Sequence, residues 1–211
     1  MKTKTSVNNI IKILNDLYPY DGVCFLNYET PWQLLFATIL SAQCTDDRVN
    51  IVTATLFKDY PSLEAFALAE IKDLEKAVFT TGFYRAKANH LKTSAIKLLN
   101  DFDGKLPSEI ESLTSLSGVG RKTANVVRGH IFKIPSVVVD THVKRVSKRL
   151  GLTTYDNPEK IEFDLMEILP KKNWIPYNQQ VISHGRKICK SQKPDCKNCK
   201  LIKECIYEQS A

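Results

Sequence analysis

Apolar residues recur at helical spacing along almost the whole chain, and only one short run is suited to a strand. Ile10, Ile11, Leu14, Leu17 and Tyr18 make a first apolar face, closed by Pro19 to Gly22. Pro31 opens a second helix, because a missing N–H costs nothing in a first turn. Trp32, Leu35, Phe36, Ile39 and Leu40 form its buried stripe. Thr45 and Asp46 cap a third, from about Arg48 to Phe57. Pro61-Ser62 and Ala69-Glu70 punctuate two short helices. After Thr80-Thr81-Gly82, Tyr84 to Leu99 is a long helix with Ala88, Leu91, Ala95 and Leu98 inward. The next starts at Pro107-Ser108 and ends before Ser117-Gly118. Gly120 to Phe132 follows, and helices from about Thr141, Pro158 and Tyr177 complete the chain. Against all this stands one β-branched run, Pro135 to Val139, inside an extended piece from Ile134, and one strand makes no sheet. The pattern predicts an all-α fold.

At 211 residues the chain can bury a substantial core as one good-sized domain or two small ones. No linker is visible, so two domains would be closely packed. Thirty basic against 23 acidic residues give a net charge of +7. Such an excess bears on partners, and the usual partner of a small basic protein is a polyanion. No apolar run approaches the roughly 18 residues that span a membrane. Met1 to Ser6 is polar and leads into an amphipathic pattern holding Asp16, unlike a signal or transit peptide. A cytosolic protein is expected.

Of the six cysteines, Cys24 and Cys44 stand apart, while Cys189, Cys196, Cys199 and Cys205 crowd the tail as C-x(6)-C-x(2)-C-x(5)-C. In a reducing compartment that cluster points to a metal site rather than to disulfides. Four thiolates suit either structural zinc or an iron–sulfur cluster. Zinc ribbons carry two C-x-x-C knuckles and only one is present here, so the spacing leans to the cluster. Four cysteines leave no open ligand position, which predicts a structural centre. His90, His130, His142 and His184 have no metal-site spacing to one another.

The segment Leu116 to Ala124 carries the most local information. Two helical patterns are separated by a turn holding Gly118 and Gly120, where glycine permits positive φ and close approach of another backbone. The second helix starts at the turn, so its N-terminal amides make an anion site in kind, suited to phosphate. A plain helical hairpin with glycine caps gives the same pattern. Lys122 lies in the first helical turn, where a cation is electrostatically misplaced. A free lysine with pKa near 10.4 is neutral in roughly one molecule in a few thousand at neutral pH. Helix-end repulsion, Arg121 and any burial push that pKa down, which a Schiff-base nucleophile needs. A lysine that contacts phosphate is the simpler alternative. Asp140 precedes Thr141-His142 and fits an N-cap; a carboxylate there can also stabilise a cationic sugar transition state.

Taken together, Leu116 to Asn125, Val139 to His142 and the four-cysteine tail resemble the endonuclease III family of helix-hairpin-helix DNA glycosylases. Leu40 to Asp46, Thr81 to Tyr84 and His184-Gly-Arg186 extend the resemblance nearly end to end. It implies a six-helix barrel domain over 24–133, with the hairpin at about 108–132. It also implies a discontinuous domain, 1–23 with 134–211, carrying a [4Fe–4S] cluster on Cys189, Cys196, Cys199 and Cys205, with double-stranded DNA in the groove between the two. The implied activity is removal of oxidised pyrimidines. Lys122 attacks C1′, the Schiff base undergoes β-elimination, and Asp140 stabilises positive charge and assists deprotonation. Gln43 would fill the void left by the flipped nucleotide, and Phe83 would act as an apolar wedge. Gly118, Gly120, Arg121, His142 and Lys193 complete the implied DNA contacts. Without the resemblance, Gln43 is an ordinary helix-terminal residue and Phe83 a core one.

Three positions depart from the family pattern. Cys44 replaces a small alanine, Asp195 stands where a cation is expected between the first two ligands, and Thr114 replaces an acid before the hairpin. The adenine–mismatch branch shares the hairpin and cysteines but usually lacks the lysine and carries a further domain. A non-enzymatic DNA-binding module with a redox cluster is a different class, in which Lys122 and Asp140 are incidental. A ferredoxin has no need of the basic helical body. Nothing in the sequence demands a dimer, so a monomer is expected.

Overall fold

The computed structural model describes residues 3–207, and among these no strand occurs. Eleven α-helices follow in order among the described residues: α1 (Lys4–Leu17), α2 (Pro31–Leu40), α3 (Asp46–Asp59), α4 (Leu63–Leu68), α5 (Ile71–Ala77), α6 (Tyr84–Phe102), α7 (Ile110–Thr114), α8 (Arg121–His130), α9 (Thr141–Arg149), α10 (Pro158–Ile168) and α11 (Trp174–Lys187). The fold is all-α. Two compact units result: one is Cys24–Ile134, and the other combines the described residues on either side of it. Among the described residues no helix is long and apolar enough to cross a membrane.

In the Cys24–Ile134 unit, α2 is buried on every side rather than along a stripe. Leu34 and Ala37 are as buried as Leu35, Phe36 and Leu40, because α3, α6 and α8 all pack on α2. Its buried polar groups turn back on their own backbone. Gln33 Oε1 accepts from the Glu29 and Thr30 amides at 2.7 and 3.0 Å, and Thr38 Oγ1 donates to the Leu34 carbonyl at 2.7 Å. Trp32, Phe36 and Phe66 meet edge-to-face at 4.9–5.8 Å between centroids. Each such ring stabilises the unit by about 2–3 kcal/mol through burial. Helices α4 and α5 lie along α6. Helix α7 begins at Ile110 rather than at Pro107, because Glu109 is its extended N-cap and Arg128 Nε holds the Ser108 carbonyl at 3.1 Å.

In the second unit α1 buries Val7, Ile10, Ile11 and Leu14. Leu17, expected on that face, is 39 % exposed, and the next inward position is Tyr18. Helix α11 packs on α9 and α1. It starts at Trp174, earlier than the expected Tyr177, since Pro176 sits in the first turn where no amide is missed. Tyr177 is fully buried, its hydroxyl 2.8 Å from Ser147 Oγ. After α11 only two single 3₁₀ turns, Cys196–Asn198 and Ile202–Glu204, are regular.

Candidate active site and cysteine centre

The turn between α7 and α8 is fixed by α6. His90 Nδ1 lies 2.9 Å from Ser117 Oγ, and one helical turn later Ser94 Oγ donates to the Ser117 carbonyl at 2.9 Å. Gly118 follows with φ +76°, and a Cβ there would lie 2.7–2.9 Å from His90 side-chain carbons. Conformation and space both require glycine at 118. Gly120 is different: it caps α8 in extended backbone at φ −88°, ψ 174°, with open space where a side chain would stand. Its value lies in what it leaves uncovered, namely the start of α8, which has no side-chain cap. Val119 between them is a buried plug.

Lys122 is exposed in the first turn of α8, beside half-buried Arg121. Burial, anticipated as one influence on this lysine, is not supplied by the unit in which it sits. Asp140 is half-buried and caps α9, its Oδ1 accepting from the Val143 amide at 2.7 Å. That bond fixes the carboxylate's orientation.

Gln43 lies in the turn between α2 and α3, exposed and left-handed at φ +54°. Phe83 also has left-handed backbone, φ +49°, directly after Gly82 at φ +71°. It is 68 % exposed, which excludes the core role open to it on sequence grounds. Lys193 is exposed with φ +48°. Non-glycine residues hold such conformations at a cost of about 1–2 kcal/mol each, and strain of this kind gathers at functional positions. Only five described non-glycine residues adopt it, and three of them are expected DNA contacts, the others being Asp103 and Lys133.

Lys87 was not legible as a site residue. It is 3 % exposed, and Nζ donates to the Thr81 carbonyl at 2.7 Å, two residues before Phe83. Burial pushes its pKa down, opposed by the nearby Cys44. His142 is half-buried and packs between α9 and α11: its Nδ1 is 3.1 Å from Arg145 Nη2 and lies against Gly185, where a Cβ would come within 2.8 Å. Gly185 is thus the close-approach glycine of this helix pair.

Cys189, Cys196, Cys199 and Cys205 line one pocket, with Arg149, Ile188 and Tyr207 among its walls. No three His, Cys, Asp or Glu side chains among the described residues are grouped to hold a metal ion, so the thiols surround the pocket without converging on one point. Arg149 ties the segment together. It donates to the Lys190 and Ser191 carbonyls at 2.7 and 3.1 Å and to Cys189 Sγ at 3.3 Å, and it stacks 4.3 Å from the Tyr207 centroid. Arg145 reaches the Cys189 carbonyl at 3.0 and 3.1 Å and the Gly185 carbonyl at 3.1 Å, closing the end of α11. His184, 2 % exposed, lies 3.6 Å from Cys199 Sγ through Nε2, and burial pushes its pKa down to about 4. The Cys199 thiol is itself pushed up, first by burial.

Residues 36–171 match the HhH-GPD superfamily base excision DNA repair protein family. The chain is 46 % identical to an endonuclease III of Synechocystis sp. over 99 % of its own length and 95 % of the relative's. It is 39 % identical to an endonuclease III of Bacillus subtilis over 91 % and 88 %. The structure of a trapped endonuclease III–DNA covalent intermediate superposes with a TM-score of 0.94 at 38 % identity, covering 100 % of this chain and 99 % of that one. A thermostable thymine-DNA glycosylase shares the fold, with a TM-score of 0.86 at 21 % identity over 98 % of both chains.

Proposed function

The chain belongs to the HhH-GPD superfamily and, within it, to the endonuclease III family, as a base-excision-repair glycosylase and lyase; from that premise we propose that Lys122 is its nucleophile and damaged double-stranded DNA its substrate. The observation that carries the assignment is the exposed lysine in the first turn of α8, immediately after a hairpin that α6 holds in one conformation. The amine lone pair attacks C1′ of an oxidised pyrimidine nucleoside. The glycosidic bond breaks, and the base departs with its electron pair and takes up a proton. The C1′–O4′ bond then opens, O4′ taking up a proton, and the resulting protonated imine acidifies C2′; the C2′ proton is lost, the C3′–O bond breaks, and the strand is cut 3′ to the lesion. Water finally releases Lys122. Asp140, oriented by its cap bond, stabilises positive charge on the sugar and is the acceptor through which Lys122 loses its proton.

Catalysis on a base requires its removal from the stack. Gln43 and Phe83, strained and exposed, are the side chains that take its place and part the neighbouring bases. The amides around Gly118 and Gly120, with Arg121, hold phosphate, and Lys193 adds a contact from the cysteine segment. His142 contributes chiefly by seating α9 on α11.

Cys189, Cys196, Cys199 and Cys205 hold a [4Fe–4S] cluster in this reading. The donor set fits, since four thiols line one pocket without converging on a single point, Arg149 offsets thiolate charge and His184 can donate a hydrogen bond. The cluster, when bound, is a structural centre whose four ligand positions are all filled by cysteine. A reducing cytoplasm suits it.

Borohydride trapping on duplex DNA with one thymine glycol tests the assignment. Wild type gives a denaturation-resistant adduct and Lys122→Ala none. Base release that persists without adduct in both proteins makes water the nucleophile and moves the chemistry to Asp140.

A further inference from the structure

We propose that His184 is a positioning residue for the cysteine centre: its Nε2–H donates to the Cys199 sulfur, Tyr18 fixes the tautomer from the other side, and this bond sets the reduction potential of the cluster. The inference rests on the cluster reading above.

Three observations carry it. Tyr18 Oη lies 3.1 Å from His184 Nδ1, and His184 Nε2 lies 3.6 Å from Cys199 Sγ, so the imidazole bridges a phenol and a ligand thiol. The ring is 2 % exposed, and the Tyr18 ring meets it edge-on at 5.8 Å. Both ends of the bridge are anchored. The Tyr18 carbonyl accepts from Gln180 Nε2 at 3.1 Å, and Gln180 also reaches Asn15 Oδ1 at 2.8 Å, pinning the end of α1 to α11. The His184 carbonyl accepts the Cys189 amide at 2.9 Å. One residue therefore holds two ligands, Cys189 through its backbone and Cys199 through its ring.

Ligation settles the direction of the hydrogen bonds. A metal-bound cysteine is a thiolate and only accepts, so Nε2 must carry the proton. In a neutral ring Nδ1 is then the acceptor, and the Tyr18 hydroxyl must donate to it. Donation to a cluster sulfur stabilises the more negative, reduced state and raises the potential. Replacing Tyr18 by phenylalanine keeps the packing but leaves Nδ1 without a donor. Without the phenol's proton the imidazole is less polarised, and its Nε2–H bond to the sulfur weakens.

The test uses the purified, cluster-loaded protein, with iron and acid-labile sulfide counted on every variant. Redox titration is expected to shift the reduction equilibrium about tenfold toward the oxidised form in His184→Leu, or about 59 mV for a one-electron couple. Tyr18→Phe shifts it in the same direction by about threefold. Tyr177→Phe, which removes a buried hydroxyl bonded only to Ser147 in the same unit, leaves it unchanged. Resonance Raman gives a second reading that does not depend on His184→Leu folding: Fe–S(Cys) bands move on H/D exchange in wild type and move less in Tyr18→Phe. Wild type without iron overturns the cluster reading and this inference with it. Four irons with unchanged potential and unchanged isotope shift in Tyr18→Phe overturn the hydrogen-bond assignment alone. An equal potential shift in Tyr177→Phe does the same.

Discussion

The Cys24–Ile134 unit and the 188–207 segment are held by different forces. The former hangs its turns on a core of fully buried side chains, Phe36, Phe66, Leu91 and Leu98 among them. In the latter only Leu201 is fully buried, and no regular element exceeds a single 3₁₀ turn. Its order comes from outside: Arg145 and Arg149 grip its carbonyls, and Asn9 reaches Glu204 at 3.1 Å. A segment with so little apolar burial cannot offset its own conformational entropy, of roughly 1–2 kcal/mol per residue. The cluster proposed for its four cysteines would supply the missing stabilisation, as ligation does in small metal-bound modules generally.

The largest expected effect follows from that contrast. Stripping iron with a chelator, or making Cys199→Ser, is expected to open 188–207 to proteases, while fragments covering 24–134 persist and most helical circular dichroism survives. Simultaneous digestion of both regions breaks the comparison, for it would mean that ligation supports the whole molecule.

Within the core-held unit the two hairpin glycines sharpen the same point. Gly118→Ala forces a Cβ to within 2.7 Å of the His90 ring at φ +76°, and should lower stability by roughly 2–4 kcal/mol in urea titration. Binding to undamaged duplex should weaken with it. Gly120→Ala meets open space in ordinary extended backbone and should cost no more than about 1 kcal/mol, the preference of an N-cap for glycine over alanine. Equal losses for the two would show that neither the left-handed backbone nor the crowding by His90 decides the hairpin.

How far the sequence revealed these features tracks how local their causes are. The Thr45 cap, Pro31 at the head of α2, and the inward Ala88, Leu91, Ala95 and Leu98 are set by neighbouring residues, and the structure has each of them. Leu17 and the late start of α7 depended on what packs nearby, and periodicity cannot report that. The hairpin, Lys122, Asp140 and the cysteines stood out through glycine placement, cap chemistry and spacing. Their supports did not. His90 and Ser94 precede Ser117 by 27 and 23 residues, His184 precedes Cys199 by 15, and Lys87 resembles any surface lysine until its burial is seen. A side chain that acts by holding another leaves no spacing pattern, because its partner is chosen by the fold.

The smallest effect concerns a polar atom inside the burial-held unit. His130 Nδ1, at the end of α8, is buried without a hydrogen-bond partner among the described residues. Burial, and then Lys133, hold its pKa below the ordinary histidine value. The unfolded chain binds a proton there near pH 6.5, and the folded one only at lower pH. Between those two pKa values the unfolded state carries more protons, so stability falls as the pH drops below about 6.5 and is flat above it. His130→Phe should remove that slope, which is at most about 1.4 kcal/mol per pH unit, and should be neutral or slightly stabilising at pH 7.5. Urea midpoints of both proteins at pH 7.5 and 5.5 supply the check. If the midpoint difference between the proteins is the same at both pH values, the loss in acid belongs to other groups. The core of this unit then tolerates a charged histidine, and burial holds it less tightly than the contrast with 188–207 requires.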